Sequence, residues 1–124
     1  MNVVDSSGWL EYFADASNAS FFAPAIEAVS ELVVPTLSLY EVFKRILQQK
    51  TENEALRAVA AMMQGSVVDL NPALALSAAK IALRHQLPLA DSVILATAQA
   101  YGATLWTQDA DFRNISGVRY IEKR

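Results

Sequence analysis

A chain of 124 residues, 53% of them hydrophobic, suits one domain with a sizeable core and is too apolar for a disordered polypeptide. With no cysteine and a single histidine, His85, it cannot form disulfides, use a thiol nucleophile, hold zinc or iron–sulfur clusters through cysteine, or build a multi-histidine metal site within one chain. A formal net charge of −3 rules out a global positive field for nucleic acid, so a polyanion would have to be met by a local basic patch or by metal ions.

"NVVD" (2–5) is a short apolar run with a β-branched pair and predicts a strand. "SSGWLEYFAD" (6–15) predicts a helix capped by Ser6 or Ser7. "SFFAPAIEAVSE" (20–31) predicts a weaker helix with Pro24 in its first turn, and "LVVP" (32–35) a strand stopped by proline. Thr36 is placed to cap "LSLYEVFKRILQQK" (37–50). "ENEALRAVAAMMQ" (52–64) has Thr51 as cap, Glu54 in the capping-box position and Gly65 as stop. "SVVDL" (66–70) predicts a strand, and "NPALALSAAKIALRHQ" (71–86) a helix with Asn71 as cap and Pro72 at its first position. "LPLADSVILATAQAYG" (87–102) predicts a helix opened by Pro88 and closed by Gly102. "ATLWT" (103–107) is a strand, "QDADFRNISG" (108–117) a loop and "VRYIE" (118–122) a last strand.

Strands that alternate with helices, and that are continuously apolar, argue for a mainly parallel sheet covered on both faces, within a single α/β domain spanning 1–124. Met1 leads into "NVVD" without a basic segment, and charges or prolines break every apolar stretch short of the roughly 18 residues a membrane helix needs. The expectation is a soluble, cytoplasmic protein with no membrane association.

One residue resists this tidy division. In the 87–102 helix, Asp91 shares a face with Leu87, Ile94, Leu95 and Ala98. An ionised carboxylate on an apolar face must be paired, neutralised or bound to metal. Other acids fall where a parallel sheet would bring them near it. Asp5 ends the first strand, Asp109 and Asp111 follow the fourth, and Glu41 lies early in the helix after "LVVP". Strand C-termini and the N-termini of following helices share one edge of an open α/β sheet, where ligands bind. Two like charges about 4 Å apart repel by about 4 kcal/mol at an effective dielectric of 20. A convergent set would therefore take up protons or recruit a cation. Oxygen ligands without Cys or His suit Mg²⁺ or Mn²⁺ rather than zinc.

Taken singly, the same residues have ordinary explanations. Asp5 can cap the first helix, Glu41 can pair with Arg45 at i+4, and Asp109 and Asp111 are common turn residues. His85 reads as a surface or helix-end residue, and Trp9, Tyr12 and Phe13 as core or dimer contacts. Arg84 and Lys44 are candidate phosphate contacts whose usual place is a solvated face.

"VVDSSGWLEYF", "SLYEVFKR", "LPLADSVILATA" and "LWTQDADF", in that order and over nearly the whole chain, resemble the PIN-domain ribonucleases, in particular the VapC-type toxins of toxin–antitoxin pairs. The resemblance implies a three-layer α/β/α sandwich with a mainly parallel central sheet. Asp5 matches the family's first acid, Ser6 the hydroxyl residue after it, Glu41 the acid of "S-x-x-E", and Asp91 that of "D-x-x-I-x-A-x-A". Asp109 matches the first aspartate of "T-x-D-x-D-F", with Thr107 and the less constant Asp111 beside it. These matches imply a metal-dependent endoribonuclease in which Asp5, Asp91 and Asp109 hold Mg²⁺ or Mn²⁺ and Glu41 orients water or a second ion. Ser6, Thr107 and Asp111 would support them. The resemblance further implies an RNA substrate, a homodimer, and a VapB-like antitoxin that covers the acidic site and often inserts an arginine. Two rival readings stand beside it: a degenerate PIN module that binds RNA or a partner without cutting, and a phospho-accepting receiver domain with Asp69 of "VVDL" as acceptor.

Overall fold

The computed structural model describes residues 1–124. Five strands and six helices follow in the order β1 (Asn2–Val4), α1 (Ser6–Phe13), α2 (Ala19–Glu27), β2 (Val33–Pro35), α3 (Thr36–Gln49), α4 (Glu52–Met62), β3 (Ser66–Val68), α5 (Pro72–His85), α6 (Leu89–Ala100), β4 (Thr104–Thr107) and β5 (Val118–Tyr120). All strand pairs are parallel: β2 with β3, and β1 with β4, which in turn pairs with β5. A parallel bridge from Asn2 to Leu32 joins the two groups, giving the order β3-β2-β1-β4-β5. The fold class is α/β, as the alternation of elements predicts.

Successive residues of each central strand face opposite sides of the sheet. Val3, Val33 and Leu105 join the core formed with α5 and α6 residues such as Ile81, Ile94 and Leu95. Their neighbours Val4, Val34 and Trp106 join the second core, with Trp9, Phe22, Val42 and Met62 of α1 to α4. Both faces of the sheet are therefore covered, which is why the strands read as unbroken apolar runs. Gly8 lets α1 lie close on the sheet: a Cβ there would stand 2.6 Å from the Phe22 ring and 2.9 Å from Val4 Cγ1.

Caps based on local pattern hold at Thr51 and Asn71, whose side chains accept the Glu54 and Leu74 amides. Several expectations are corrected. The cap of α1 is Asp5, which accepts the Ser6 amide, because the Ser6 and Ser7 hydroxyls turn instead to carboxylates. Thr36 makes no cap bond; α3 begins at Thr36 with Pro35 preceding it. The helix expected over 20–31 runs from Ala19 to Glu27, with Pro24 in its interior, and a separate 3-10 turn spans Val29–Glu31. Proline cannot donate to the preceding turn, and Ala28, with ψ at 66°, leaves the helical region. Gly65 is not a helix stop; a Cβ there would meet Leu32 O at 2.9 Å, so it allows the chain to approach β2. The 108–117 loop contains a 3-10 turn at Ala110–Phe112, anchored by the fully buried Phe112. No helix is long and apolar enough to cross a membrane.

Candidate functional site

A helix that leads back into a parallel sheet runs opposite to the strand it feeds. The N-terminus of α6 therefore lies at the C-terminal edge of β4. That edge carries Asp5 directly after β1, Asp109 after β4, Glu41 early in α3 after β2, and Asp91 in the first turn of α6.

Asp5 is 3% exposed, and its carboxylate is held from three directions. Its Oδ1 accepts the Ser6 amide at 2.8 Å, and its Oδ2 accepts the Ser7 and Thr107 hydroxyls at 2.9 Å each. Thr107 Oγ1 accepts the Asp109 amide at 2.9 Å, so one buried hydroxyl links two acids. Burial raises the Asp5 pKa to about 6; the Thr107 and Ser7 hydroxyls oppose the rise and the Asp109 charge adds to it.

Asp91 is raised further, to about 7, first by burial and then by the charges of Asp5, Asp109, Glu41 and Asp111. No hydrogen bond or cation offsets the rise. The charges that act on Asp91 are thus those of four other carboxylates, none of which can pair with it. Asp91, Asp109 and Asp111 each offer an oxygen, all within 4.8 Å of one another. Asp109 Oδ1 accepts the Asp111 amide at 2.9 Å, which folds the loop so that both side chains stand together.

Glu41 does not pair with Arg45. The ion pairs present join the Met1 amino group to Glu31 and Lys50 to Glu54. Instead Glu41 Oε1 accepts the Ser6 hydroxyl at 2.6 Å. Ser6 thus bridges two acids, its amide on Asp5 and its hydroxyl on Glu41.

The other residues singled out in the sequence take ordinary places. Trp9 is buried and stacks on Phe13 at 5.7 Å; the Tyr12 hydroxyl donates to Glu27. Arg84 and His85 end α5. Asp69 is exposed after the edge strand β3 and is not among the charges acting on Asp91.

Sequence reasoning missed two features. Ser7 grips Asp5, a role that its spacing two residues after an aspartate could have suggested. Gln108, between Thr107 and Asp109, is 6% exposed, accepts from the Asn18 amide group and donates to Glu11. The same Asn18 group donates to Glu122 O, so the acidic loop is tied to the α1–α2 connection and the C-terminal segment. Nothing in the local sequence marks Gln108, since its partners Asn18 and Glu11 lie 90 and 97 residues away.

The donor set is all oxygen, mutually repelling and unopposed by Lys or Arg, which fits a hard divalent cation.

The family model of the PIN domain matches residues 3–118. The chain belongs to the PIN-domain family. No curated protein matches it. Among solved structures, this PIN domain is similar to a toxin–antitoxin complex from Klebsiella pneumoniae, at TM-score 0.81 and 23% identity over 96% of each chain. It is also similar to VapC20 of Mycobacterium tuberculosis, a sarcin–ricin loop cleaving toxin, at TM-score 0.76 and 17% identity over 94% of this chain and 95% of that one. A DNA-bound VapBC from Salmonella typhimurium aligns at TM-score 0.73 and 16% identity over 98% and 96%. These likenesses show the PIN fold, a three-layer α/β/α arrangement around a parallel sheet.

Proposed function

We propose that this PIN domain, a single domain over 1–124, is a metal-dependent endoribonuclease of the VapC type, the toxin of a toxin–antitoxin pair. The observation that carries the reading is the half-buried Asp91, surrounded by the charges of Asp5, Asp109, Glu41 and Asp111 with no cation of the protein to balance them. Asp5, Asp91 and Asp109 would hold Mg²⁺ or Mn²⁺; the oxygens within 4.8 Å of one another are those of Asp91, Asp109 and Asp111, so Asp111 is a further candidate ligand and Asp5, already bonded to Ser6, Ser7 and Thr107, stands outside that group. Such an ion would supply Lewis-acid polarisation of a phosphodiester and activation of water near neutral pH. Thr107 and Ser7 hold the Asp5 carboxylate in one orientation, and Thr107 at the same time fixes the backbone that carries Asp109. Ser6 sets the direction of Glu41, which orients the attacking water and takes up its proton.

The similar structures support an antitoxin partner. A groove of about 610 Å³ between α1, α3 and α4 begins at Ser7 and Gln108, beside the acids. Leu10, Phe13 and Ile46 give it an apolar floor, and Arg45 and Arg57 lie along it. A VapB-like segment in this groove would reach the acidic site, where a guanidinium fits a carboxylate set better than an ammonium does. For the homodimer, α5 and the start of α6 offer Leu76, Leu83 and Leu89, exposed by 70%, 85% and 75%. The proposed compartment is the cytoplasm.

The deciding experiment incubates the purified protein with total cellular RNA and Mg²⁺ or Mn²⁺. Discrete cleavage that chelator abolishes supports the reading. Binding without cleavage under all metal conditions would favour the degenerate PIN module. The receiver reading has no support, since Asp69 lies apart from the acids.

A further inference from the structure

The acidic edge poses a problem for a polyanionic substrate. Any strand delivered to it must pass a cluster of carboxylates on a protein of net charge −3. On the outer side of Glu41, helix α3 carries a compensating arrangement. Tyr40, Glu41, Lys44, Arg45 and Gln48 line a shallow hollow of about 350 Å³. Tyr40 is 58% exposed and belongs to neither core, and its ring meets only the Lys44 ammonium in a cation–π contact. Lys44 Nζ lies 5.6 Å from the ring centroid, and neither Lys44 nor Arg45 is ion-paired. Glu41 is shared with the acidic cluster, so the hollow adjoins the proposed reaction centre directly.

Each part of the hollow has a counterpart in one nucleotide of a single strand. An exposed ring offers a π-face, which any unpaired base can cover. Lys44 and Arg45, four and five residues on and in no ion pair, can hold an adjacent phosphate. The Gln48 amide offers both a donor and an acceptor to a base edge. A base inside a duplex is already stacked on both faces and has none to give. The other well-exposed aromatic, Tyr101, caps the far end of α6, about 18 Å along the helix axis from its first turn. Trp9 and Phe22 are buried. Tyr40 is therefore the exposed ring beside the acids.

We propose that this hollow is a nucleotide subsite: Tyr40 stacks on an unpaired base next to the scissile phosphate, and Lys44 and Arg45 hold the phosphate beside that base. The proposal deepens the ribonuclease reading and rests on it.

The test uses a fluorescent single-stranded oligoribonucleotide of mixed sequence and a duplex of the same sequence. Affinity is read by anisotropy in the Asp91→Asn background, so that binding is measured apart from cleavage. Tyr40→Ala should weaken single-strand binding by roughly five- to hundredfold and leave duplex binding where it was. Tyr40→Trp should restore it. In the otherwise wild-type enzyme the Tyr40→Ala loss should fall on KM rather than kcat. Lys44→Gln should reduce the salt slope of log affinity by about 0.7. Unchanged single-strand affinity of Tyr40→Ala overturns the subsite even if the wild-type protein cleaves RNA. So does failure of Tyr40→Trp to restore binding, or a Tyr40→Ala defect confined to a protein partner. Lack of cleavage by the wild-type protein, with single-strand binding that depends on Tyr40, would instead overturn the ribonuclease reading.

Discussion

Replacing Asp91 with Asn keeps the shape of the side chain and removes the charge that the site least tolerates. In the folded protein Asp91 titrates at about 7, against 3.8 for an ordinary aspartate. Between those values the folded state binds more protons than the unfolded state. Stability contributed by the protonated form is therefore complete below about pH 4 and is lost as pH rises to about 7. The full difference corresponds to roughly 4 kcal/mol, which solvent screening of a half-buried group reduces to about 2 kcal/mol. Asp91→Asn stays neutral throughout. Without metal, the variant should match wild type near pH 4 and exceed it by about 2 kcal/mol at pH 8. In urea unfolding this moves the midpoint upward by about 1 M. Metal reverses the order. At an Mn²⁺ concentration of about 100 times its dissociation constant, the wild type gains about 2.7 kcal/mol. The variant gains far less, because an amide is a poor ligand for a hard cation. Cleavage of RNA should fall at least about 100-fold in the variant. A variant no more stable than wild type at pH 8 without metal would refute the electrostatic account of the cluster. A variant with undiminished Mn²⁺ stabilisation and cleavage would refute the role proposed for Asp91.

Mn²⁺ affinity measured by calorimetry should rise between about pH 5 and 8, because Asp5 and Asp91 must lose protons held with pKa values of about 6 and 7; a flat profile would count against their being ligands. Thr107→Val removes the hydroxyl that donates to Asp5 and accepts the Asp109 amide, leaving that amide without its partner and Asp5 Oδ2 with Ser7 alone, and should cost about 1–3 kcal/mol in denaturant unfolding together with a loss of metal affinity. Gly8→Ala places a methyl group 2.6 Å from the Phe22 ring and should destabilise by about 1–3 kcal/mol, read from the unfolding midpoint. Leu83→Arg should yield monomers in light scattering if α5 is the dimer face, and an unaltered mass would exclude that face.

How much of this was legible beforehand depends on the range of the interaction concerned. Caps at Thr51 and Asn71, and strands marked by apolar runs, depend on contacts within a turn or two, and the sequence displays both partners at once. The alternation of strands and helices likewise restricts the chain to a parallel α/β sheet, because strands buried on both faces need helices above and below. The motif order goes further and marks Asp5, Glu41, Asp91 and Asp109 as a set. What each of these side chains faces is a different matter. Locally, Glu41 has Arg45 one turn away; in the fold it takes the Ser6 hydroxyl, 35 residues distant. Asp111 looks like a turn residue, yet the 3-10 turn closed on Asp109 brings its carboxylate within 4.8 Å of Asp91. Ser7 looks like a helix cap and instead holds Asp5. Strand order and the approach of α1 to α3 decide the partner of Glu41, and the place of α6 beside β4 decides what Asp111 faces. Those are properties of the packed sheet, since only packing brings residues 5, 41, 91 and 109 to one edge and expels the water that would otherwise screen their charges.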